Sequence, residues 1–262
     1  MTERVTLALA VLTGLAVGVI MGALGGGGAI LVVPVLLYGF AMEPHAATTG
    51  SLVVVGIGAI AGAISHGRRG KTNLTQGTVF GLGGFVGTTV GVLASAHVAP
   101  WVQTGSFALL LLVVATVMLR RSRPEGDDDT SGPPPLRVDV RRLLIVAVVA
   151  TFVGALTGFF GVGGGFAIVP ALVLLLDFPM PVAVGTSLLV IALNSATAFV
   201  ARLATGVELD WPLLLVMTAG AIVGILVGGR VAQRVSARTL TRGFAGLLVL
   251  VAAYTAVRTV TG

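Results

Sequence analysis

Cysteine is absent from the 262-residue chain, so disulfides, thiolate metal sites and thiol catalysis are all excluded. Charge is also scarce: Asp, Glu, Lys and Arg make up 10% of the residues, against about 25% in a typical soluble protein. Carboxylates such as Glu43, Asp177 and Glu208 fall at the ends of apolar runs, and none lies deep inside one. This pattern disfavours a pump built on buried acids and a cation channel with an acidic ring.

Long uncharged runs take the place of the missing charge. Hydrophobic residues make up 56% of the chain, and residues 5–42 and 72–119 contain no Asp, Glu, Lys or Arg. About 20 mostly apolar residues cross a bilayer as a helix, so these runs can hold one or two crossings each. A β-barrel would show alternating segments of about 10 residues instead. We therefore predict an all-α polytopic membrane protein.

The chain repeats itself. A shift of 136 residues places Gly25 on Gly161 and, without a gap, Ser51 on Ser187. The prolines at positions 34 and 170 also coincide. A gapless match that includes Pro and Ser indicates a duplication rather than low complexity.

We divide the chain into a first membrane repeat (residues 1–119), a hydrophilic linker (120–142) and a second membrane repeat (143–262). The linker contains Pro-Pro-Pro and Asp-Asp-Asp, which is typical of solvated chain. Each repeat is predicted to form about four long helices plus a short or broken helical segment after a glycine-rich break. The predicted segments are residues 5–22, 29–40, 46–66, 74–97, 102–119, 143–158, 166–176, 182–203, 211–230 and 240–254.

Arginine and lysine cluster around residues 68–71, around residues 230–242 and at both ends of the linker. Basic segments prefer the cytoplasm, and five crossings per repeat place all three clusters there and make the repeats inverted. The short segments have only about 11 to 15 residues, too few to span a core of about 30 Å. Whether they cross or re-enter stays open.

Two glycine-rich breaks interrupt the apolar runs. Non-helical backbone at membrane depth must be buried in protein or line a watery cavity. A helix that starts after such a break presents unpaired N–H groups and the positive end of its dipole, and glycine lets an anion approach them. Because consecutive glycines cannot share one packing face, we predict a paired anion cradle, with packing as the alternative. The candidate substrate-binding glycines are Gly25, Gly26, Gly27, Gly28, Gly161, Gly163, Gly164 and Gly165.

Other glycines recur at every fourth position and predict close helix packing alone. These are Gly83, Gly87, Gly91, Gly220, Gly224 and Gly228.

Neutral polar side chains follow each break, in "HAATTGSL" and "PVAVGTSLLVIALNS". Their hydroxyl and amide groups can donate to an oxyanion without supplying a permanent charge. Alternatively, the hydroxyls cap a helix or bond back to a main-chain carbonyl, and for the two threonines the two interpretations are equally favoured. The remaining substrate-binding candidates are Thr49, Ser51, Thr186, Ser187 and Asn194. His66 and Arg202 are equivalent by the 136-residue shift and could attract an anion or protons, although a solvated helix end is the favoured interpretation for both.

Four segments resemble the TauE/SafE family of sulfite exporters: "GALGGGGAILVVPVLL", "HAATTGSLVVV", "GFFGVGGGFAIVPALV" and "PMPVAVGTSLLVIALNSATA". The two-copy layout with a hydrophilic linker is similar as well. The resemblance implies a carrier of small sulfur-containing anions such as sulfite, sulfonates or thiosulfate in the plasma membrane of a prokaryote. One departure is Ala29, where the second copy has Gly165.

The expected function is a secondary transporter that works by alternating access and is driven by a proton or sodium gradient, because no nucleotide motif is present. Its expected partners are a small anion, the coupling ion and membrane lipid, with no cofactor, metal or nucleic acid. A passive anion channel is one alternative. A membrane-embedded enzyme is another, for which three histidines near helix ends and no buried carboxylate are a poor set.

Overall fold

The computed structural model describes residues 3–95, 98, 100–120, 140–160, 165–203 and 207–261. These residues form ten α-helices and no strand. A 3₁₀ turn, Gly25–Gly28, precedes α2, and a π turn, Val35–Gly39, extends it. The helices are α1 Glu3–Leu24, α2 Ala29–Pro34, α3 Pro44–Gly67, α4 Leu74–Ser95, α5 Pro100–Arg120, α6 Val140–Phe160, α7 Gly165–Leu174, α8 Met180–Leu203, α9 Trp211–Ala232 and α10 Ala237–Thr261.

The all-α membrane class predicted from the apolar runs is confirmed. Six helical stretches among the described residues are long and apolar enough to cross a bilayer. Each of the ten predicted segments coincides with a helix, and the largest difference is at α10, which continues to Thr261. The six stretches are Val5–Gly39, Pro44–Gly67, Leu143–Phe160, Met180–Val200, Trp211–Ala232 and Ala237–Ala256.

The first glycine-rich break turns the chain back on itself. Gly25 has a φ of +72°, a left-handed conformation that glycine adopts without steric cost. After the turn, a Cβ added at Gly28 would lie 2.6 Å from the Met21 nitrogen and 2.9 Å from the Val17 carbonyl oxygen. The short helix α2 therefore starts beside the last turns of α1. The chain reverses its direction between α1 and α2, although the sequence is apolar throughout this stretch.

Long helices of one repeat pack against long helices of the other. α1 of the first repeat packs along α9 of the second, and α6 of the second packs along α4 of the first. A Cβ added at Gly18 would overlap the Ala221 carbonyl, and one added at Gly154 would overlap that of Gly84. By the 136-residue shift Gly154 is the equivalent of Gly18, and after a one-residue slip in that register, which also places Gly83 on Gly220, Ala221 is the equivalent of Gly84. One contact therefore occurs twice. The loops after the short helices match too, with left-handed Ala41 (φ 52°) and Asp177 (φ 53°).

The glycines at every fourth position do serve helix packing, as predicted. Added Cβ atoms at Gly87 and Gly91 would overlap the carbonyl oxygens of Thr151 and Ala155 on α6. The same holds for Gly224 against α1. Backbone touches backbone at these positions, so any side chain would separate the helices.

Helix directions follow from these pairings. Gly87 faces Thr151 and Gly91 faces Ala155, so α4 and α6 run parallel. Helices α3 and α8 are equivalent by the 136-residue shift. They run antiparallel, because Gly56 faces Ser195 whereas Gly62 faces Leu188.

The basic clusters lie at one end of the molecule, which we call the basic end. Arg69 Nη1 donates to the Gly229 carbonyl over 3.3 Å, which joins the α3–α4 turn to the C-terminal end of α9. The start of α6, with Arg141, lies at the same end because α6 runs parallel to α4. Described members of all three clusters therefore lie at the same end of the molecule.

Candidate anion-binding site

The glycine-rich breaks of the two repeats meet at what we call the glycine crossing, formed by Gly25–Gly28 and Gly165. A Cβ added at Gly165 would lie 2.5 Å from the Gly26 carbonyl oxygen and 3.1 Å from the Ala29 Cβ. A Cβ added at Gly26 would overlap the Gly165 carbonyl. The main chains of the two repeats therefore touch directly. Three other predicted glycines, Gly161, Gly163 and Gly164, lie outside the described residues.

Ser187 is brought to this crossing. A Cβ added at Gly25 would lie 2.5 Å from Ser187 Oγ, 3.1 Å from a Val169 methyl and 3.2 Å from the Val184 Cα. Ser187 is fully buried, and its hydroxyl donates to the Val184 carbonyl over 2.8 Å. A hydroxyl that binds an anion must donate to it, so Ser187 would have to rotate away from its own helix.

Packing accounts for each glycine of the first break. Gly25 faces α8 and Gly26 faces Gly165, whereas a Cβ at Gly27 would lie 2.8 Å from Leu247 and one at Gly28 would strike Met21. All four glycines are buried. Consecutive glycines need not share one packing face to serve packing, because these four point at four different neighbours. The anion cradle stays a prediction that needs other support.

The first-repeat hydroxyls bond back to their own helix as well. Ser51 Oγ donates to the Thr48 carbonyl over 2.7 Å, as its equivalent Ser187 does to Val184. Thr49 Oγ1 donates to the His45 carbonyl over 2.8 Å and lies 3.4 Å from Arg202 Nη1. Arg202 also donates to Thr48 Oγ1 over 2.9 Å. The Arg202 guanidinium thus links the end of α8 to the start of α3.

Thr186 lies on a different face of α8 from Ser187, and Asn194 lies further along the same helix. Thr186 is fully buried and accepts a hydrogen bond from the Asn73 main-chain N–H over 3.0 Å. Asn194 is half-buried, and its side-chain nitrogen lies 3.9 Å from a Cβ added at Gly84 on α4. Seven residues separate Asn194 from Ser187, about 10 Å along a helix. Asn194 is therefore not part of the crossing.

Polar side chains at the α3–α4 turn were missed by the sequence reasoning. Asn73 is 2% exposed and Gln76 is 8% exposed. Asn73 Oδ1 accepts the Gln76 main-chain N–H over 3.0 Å, but Asn73 Nδ2, Gln76 Oε1 and Thr72 Oγ1 have no hydrogen-bond partner among the residues that the structure describes. Such buried groups are costly. "KTNLTQG" shows a helix N-cap in the sequence, yet nothing in it predicts the unpaired atoms.

His66 is buried at the basic end, which corrects the prediction of a solvated helix end. It is 5% exposed, and its Nε2 lies 3.3 Å from the Gly22 carbonyl oxygen. The ring fits because Gly185 has no side chain: a Cβ there would lie 2.9 Å from the His66 Cβ. Arg202 is also half-buried and hydrogen-bonded, so that interpretation was wrong for both residues.

A cavity of about 310 Å³ lies beside His66 at the basic end. Its cationic residues are Arg69 and Lys71, and no carboxylate is among the described residues that line it. Its other lining residues are Ala23, Pro181, Val184, Gly229, Ala232, Gln233, Val235, Ala237 and Leu240. Val184 also packs on Gly25, so the cavity ends one residue from the glycine crossing.

Nothing in the described part of the chain brings three His, Asp or Glu side chains close enough to hold a metal ion.

Comparison with known proteins gives a consistent result. The family model "Sulfite exporter TauE/SafE" matches residues 10–255. A "Probable membrane transporter protein" of Xylella fastidiosa is 32% identical over 245 residues, which cover 91% of this chain and 90% of that one. In Bacillus subtilis, the "Probable membrane transporter protein YunE" is 26% identical over 92% of this chain and 94% of its own, and YdhB is 26% identical over 89% and 96%. No solved structure matches.

Proposed function

The chain belongs to the sulfite exporter TauE/SafE family, and from this premise we propose that it carries a small sulfur-containing anion of the sulfite, sulfonate or thiosulfate class by alternating access. It is a multi-pass membrane protein, and its bacterial relatives are named as transporters, which is not an enzymatic role. The substrate class comes from the family name. The mechanism is our proposal.

The glycine crossing is the proposed substrate site. Two observations support this choice: the main chain of the first glycine-rich break touches Gly165 of the second repeat there, and Ser187 lies against it. When the helices on the two sides of the crossing move apart during alternating access, a small anion can enter between them. The main-chain N–H groups that become exposed can then donate to the anion. In this conformation the crossing is closed, with the Ser187 and Ser51 hydroxyls bonded to their own helices.

We propose that the repeats are inverted and that the basic end faces the cytoplasm. The antiparallel packing of the matched helices α3 and α8 supports inversion. The shared end of the three basic clusters supports the orientation. Reporters fused after Lys71 and after Val207, which are equivalent by the 136-residue shift, should lie on opposite sides of the membrane. The same side for both would contradict the inversion.

Transport by purified protein in liposomes tests the function. We expect counterflow of radiolabelled sulfite, thiosulfate, sulfoacetate or taurine, with sulfate and nitrate as comparison anions. Counterflow distinguishes a carrier from a passive channel, which shows none. Imposed proton or sodium gradients identify the coupling ion. Indifference to every sulfur anion would contradict the proposed substrate class.

Variants test the site. Ser187→Ala and Ser51→Ala should lower transport of the preferred anion without lowering the yield of folded protein. Ser195→Ala is the matched control, because Ser195 is also buried on α8 but faces Gly56 on α3. Equal rates in all three variants would place the two serines outside the substrate site.

A further inference from the structure

We propose that the basic-end cavity is a second anion-binding site, which holds the anion before it enters the glycine crossing. This proposal rests on the proposed function, because it concerns the same substrate. It assigns a binding role to Arg69 and Lys71, whose sequence pattern indicated only membrane orientation.

The charges around the cavity favour an anion. The cations Arg69 and Lys71 lie on its lining, and none of the described residues that line it is a carboxylate. The Arg69 guanidinium is held in place by its bond to the Gly229 carbonyl. Much of the remaining wall is apolar, including Val184, and such low-dielectric walls strengthen the field that positive residues produce inside a cleft.

The size of the cavity suits a hydrated or organic anion. Its volume of about 310 Å³ corresponds to roughly ten waters at about 30 Å³ each. A sulfite-sized anion therefore fits together with part of its hydration shell, and a short alkyl sulfonate fits with less. Binding here does not require the anion to lose all of its water at once, which is the costly step for a charged solute.

The position of the cavity fits a loading role. Val184 lies between the cavity and Gly25, and Ala23 lines the cavity two residues before Gly25. His66 contacts Gly22 on the same stretch. An anion in the cavity is thus one residue layer from the crossing.

The second repeat lacks this set of charges. The 136-residue shift places His66 on Arg202, but it places Arg69 and Lys71 on Thr205 and Val207. The shared fold therefore does not require the two cations. They are a feature of the basic end alone.

The absence of cysteine provides a direct binding assay. Ala237→Cys places a single thiol in the cavity lining, and a membrane-impermeant thiol reagent is added from the basic end. Methanesulfonate, which does not react with thiols, should slow the labelling. Neutral dimethyl sulfone, which has a similar size, should not. Gln233→Cys, also in the lining, is the second reporter if the first variant does not fold.

Charge variants then distinguish anion binding by the cavity residues from a general effect of positive surface charge. Arg69→Gln and Lys71→Gln should each raise the half-protecting concentration of methanesulfonate about 2- to 5-fold, the range expected for partly exposed charges. Arg68→Gln is the matched control, because Arg68 is exposed and does not line the cavity. No protection by methanesulfonate, or an equal loss in the Arg68 variant, would overturn the proposal.

Ser187→Ala distinguishes this proposal from the proposed function. It should lower transport and leave protection of the cavity thiol unchanged. Protection without any transport of a sulfur anion would contradict the proposed function alone. Transport without protection would contradict the loading site alone.

Discussion

The contact between Gly25 and Ser187 gives the sharpest test of the glycine crossing. Gly25→Ala places a methyl group 2.5 Å from Ser187 Oγ and forces alanine into a φ of +72°. Real Cβ atoms essentially never approach another heavy atom that closely. The substitution therefore combines backbone strain with steric overlap, and a second substitution can remove only the overlap.

The two contributions have different expected sizes. The left-handed conformation costs a residue with a Cβ about 1–2 kcal/mol. Overpacking a buried site typically costs a further 1–3 kcal/mol. In the double variant Gly25→Ala/Ser187→Ala the nearest remaining atoms lie 3.1 and 3.2 Å from the new methyl, distances at which neighbours need to give only slightly. The overlap cost should disappear while the strain remains.

A double-mutant cycle measures this difference. Unfolding free energies of the wild type, both single variants and the double variant are compared in detergent. We expect the double variant to be about 1–3 kcal/mol more stable than the sum of the single effects. It should still transport poorly, because it lacks the Ser187 hydroxyl. Additivity within about 0.5 kcal/mol would refute the contact and the crossing built on it.

Substitutions at four further positions test helix packing, a helix cap and a buried polar side chain. Gly87→Ala should abolish folded yield because its methyl would overlap the Thr151 carbonyl, whereas Gly246→Ala, with no atom within 4 Å, should be stabilised by about 0.5–1 kcal/mol in thermal unfolding. Asp210→Ala should lose about 0.5–2 kcal/mol because the Asp210 carboxylate caps α9, and Asp210→Asn should retain most of that stability. Gln76→Leu should raise the unfolding midpoint, since it removes a buried acceptor that has no partner; a lower midpoint would mean that a bound water or ion satisfies it.

The helices and their interruptions could be predicted because they depend on local sequence. Uncharged runs, glycines and prolines marked all ten segments, and the 136-residue register identified the equivalent residues of the two repeats. The register could not say which residues touch. That Gly26 meets Gly165, for example, depends on how the repeats dock, and no single repeat contains that information.

The candidate site was predictable only in outline. Ser187 is one of the predicted residues, and it lies against the first glycine-rich break. Asn194 is predicted as a neutral hydrogen-bond donor, and it shares a helix face with Ser187, but it lies about 10 Å further along the axis. The basic pattern around Arg69 indicates membrane orientation, and it does not show which side chains line a cavity. His66 looked like an exposed helix end because its burial depends on a distant glycine, Gly185.

The two ends of the molecule share a scaffold but differ in chemistry. His66 lies against Gly185, and its equivalent Arg202 lies against Thr49, the equivalent of Gly185. One end therefore holds an imidazole beside a main-chain carbonyl and an open cavity, and the other holds a permanent cation bonded to two threonine hydroxyls. An anion at the second end must compete with those hydroxyls for the guanidinium, a competition that His66 does not impose. The packing glycines are repeated and these polar residues are not, so we expect the two ends to differ in anion affinity.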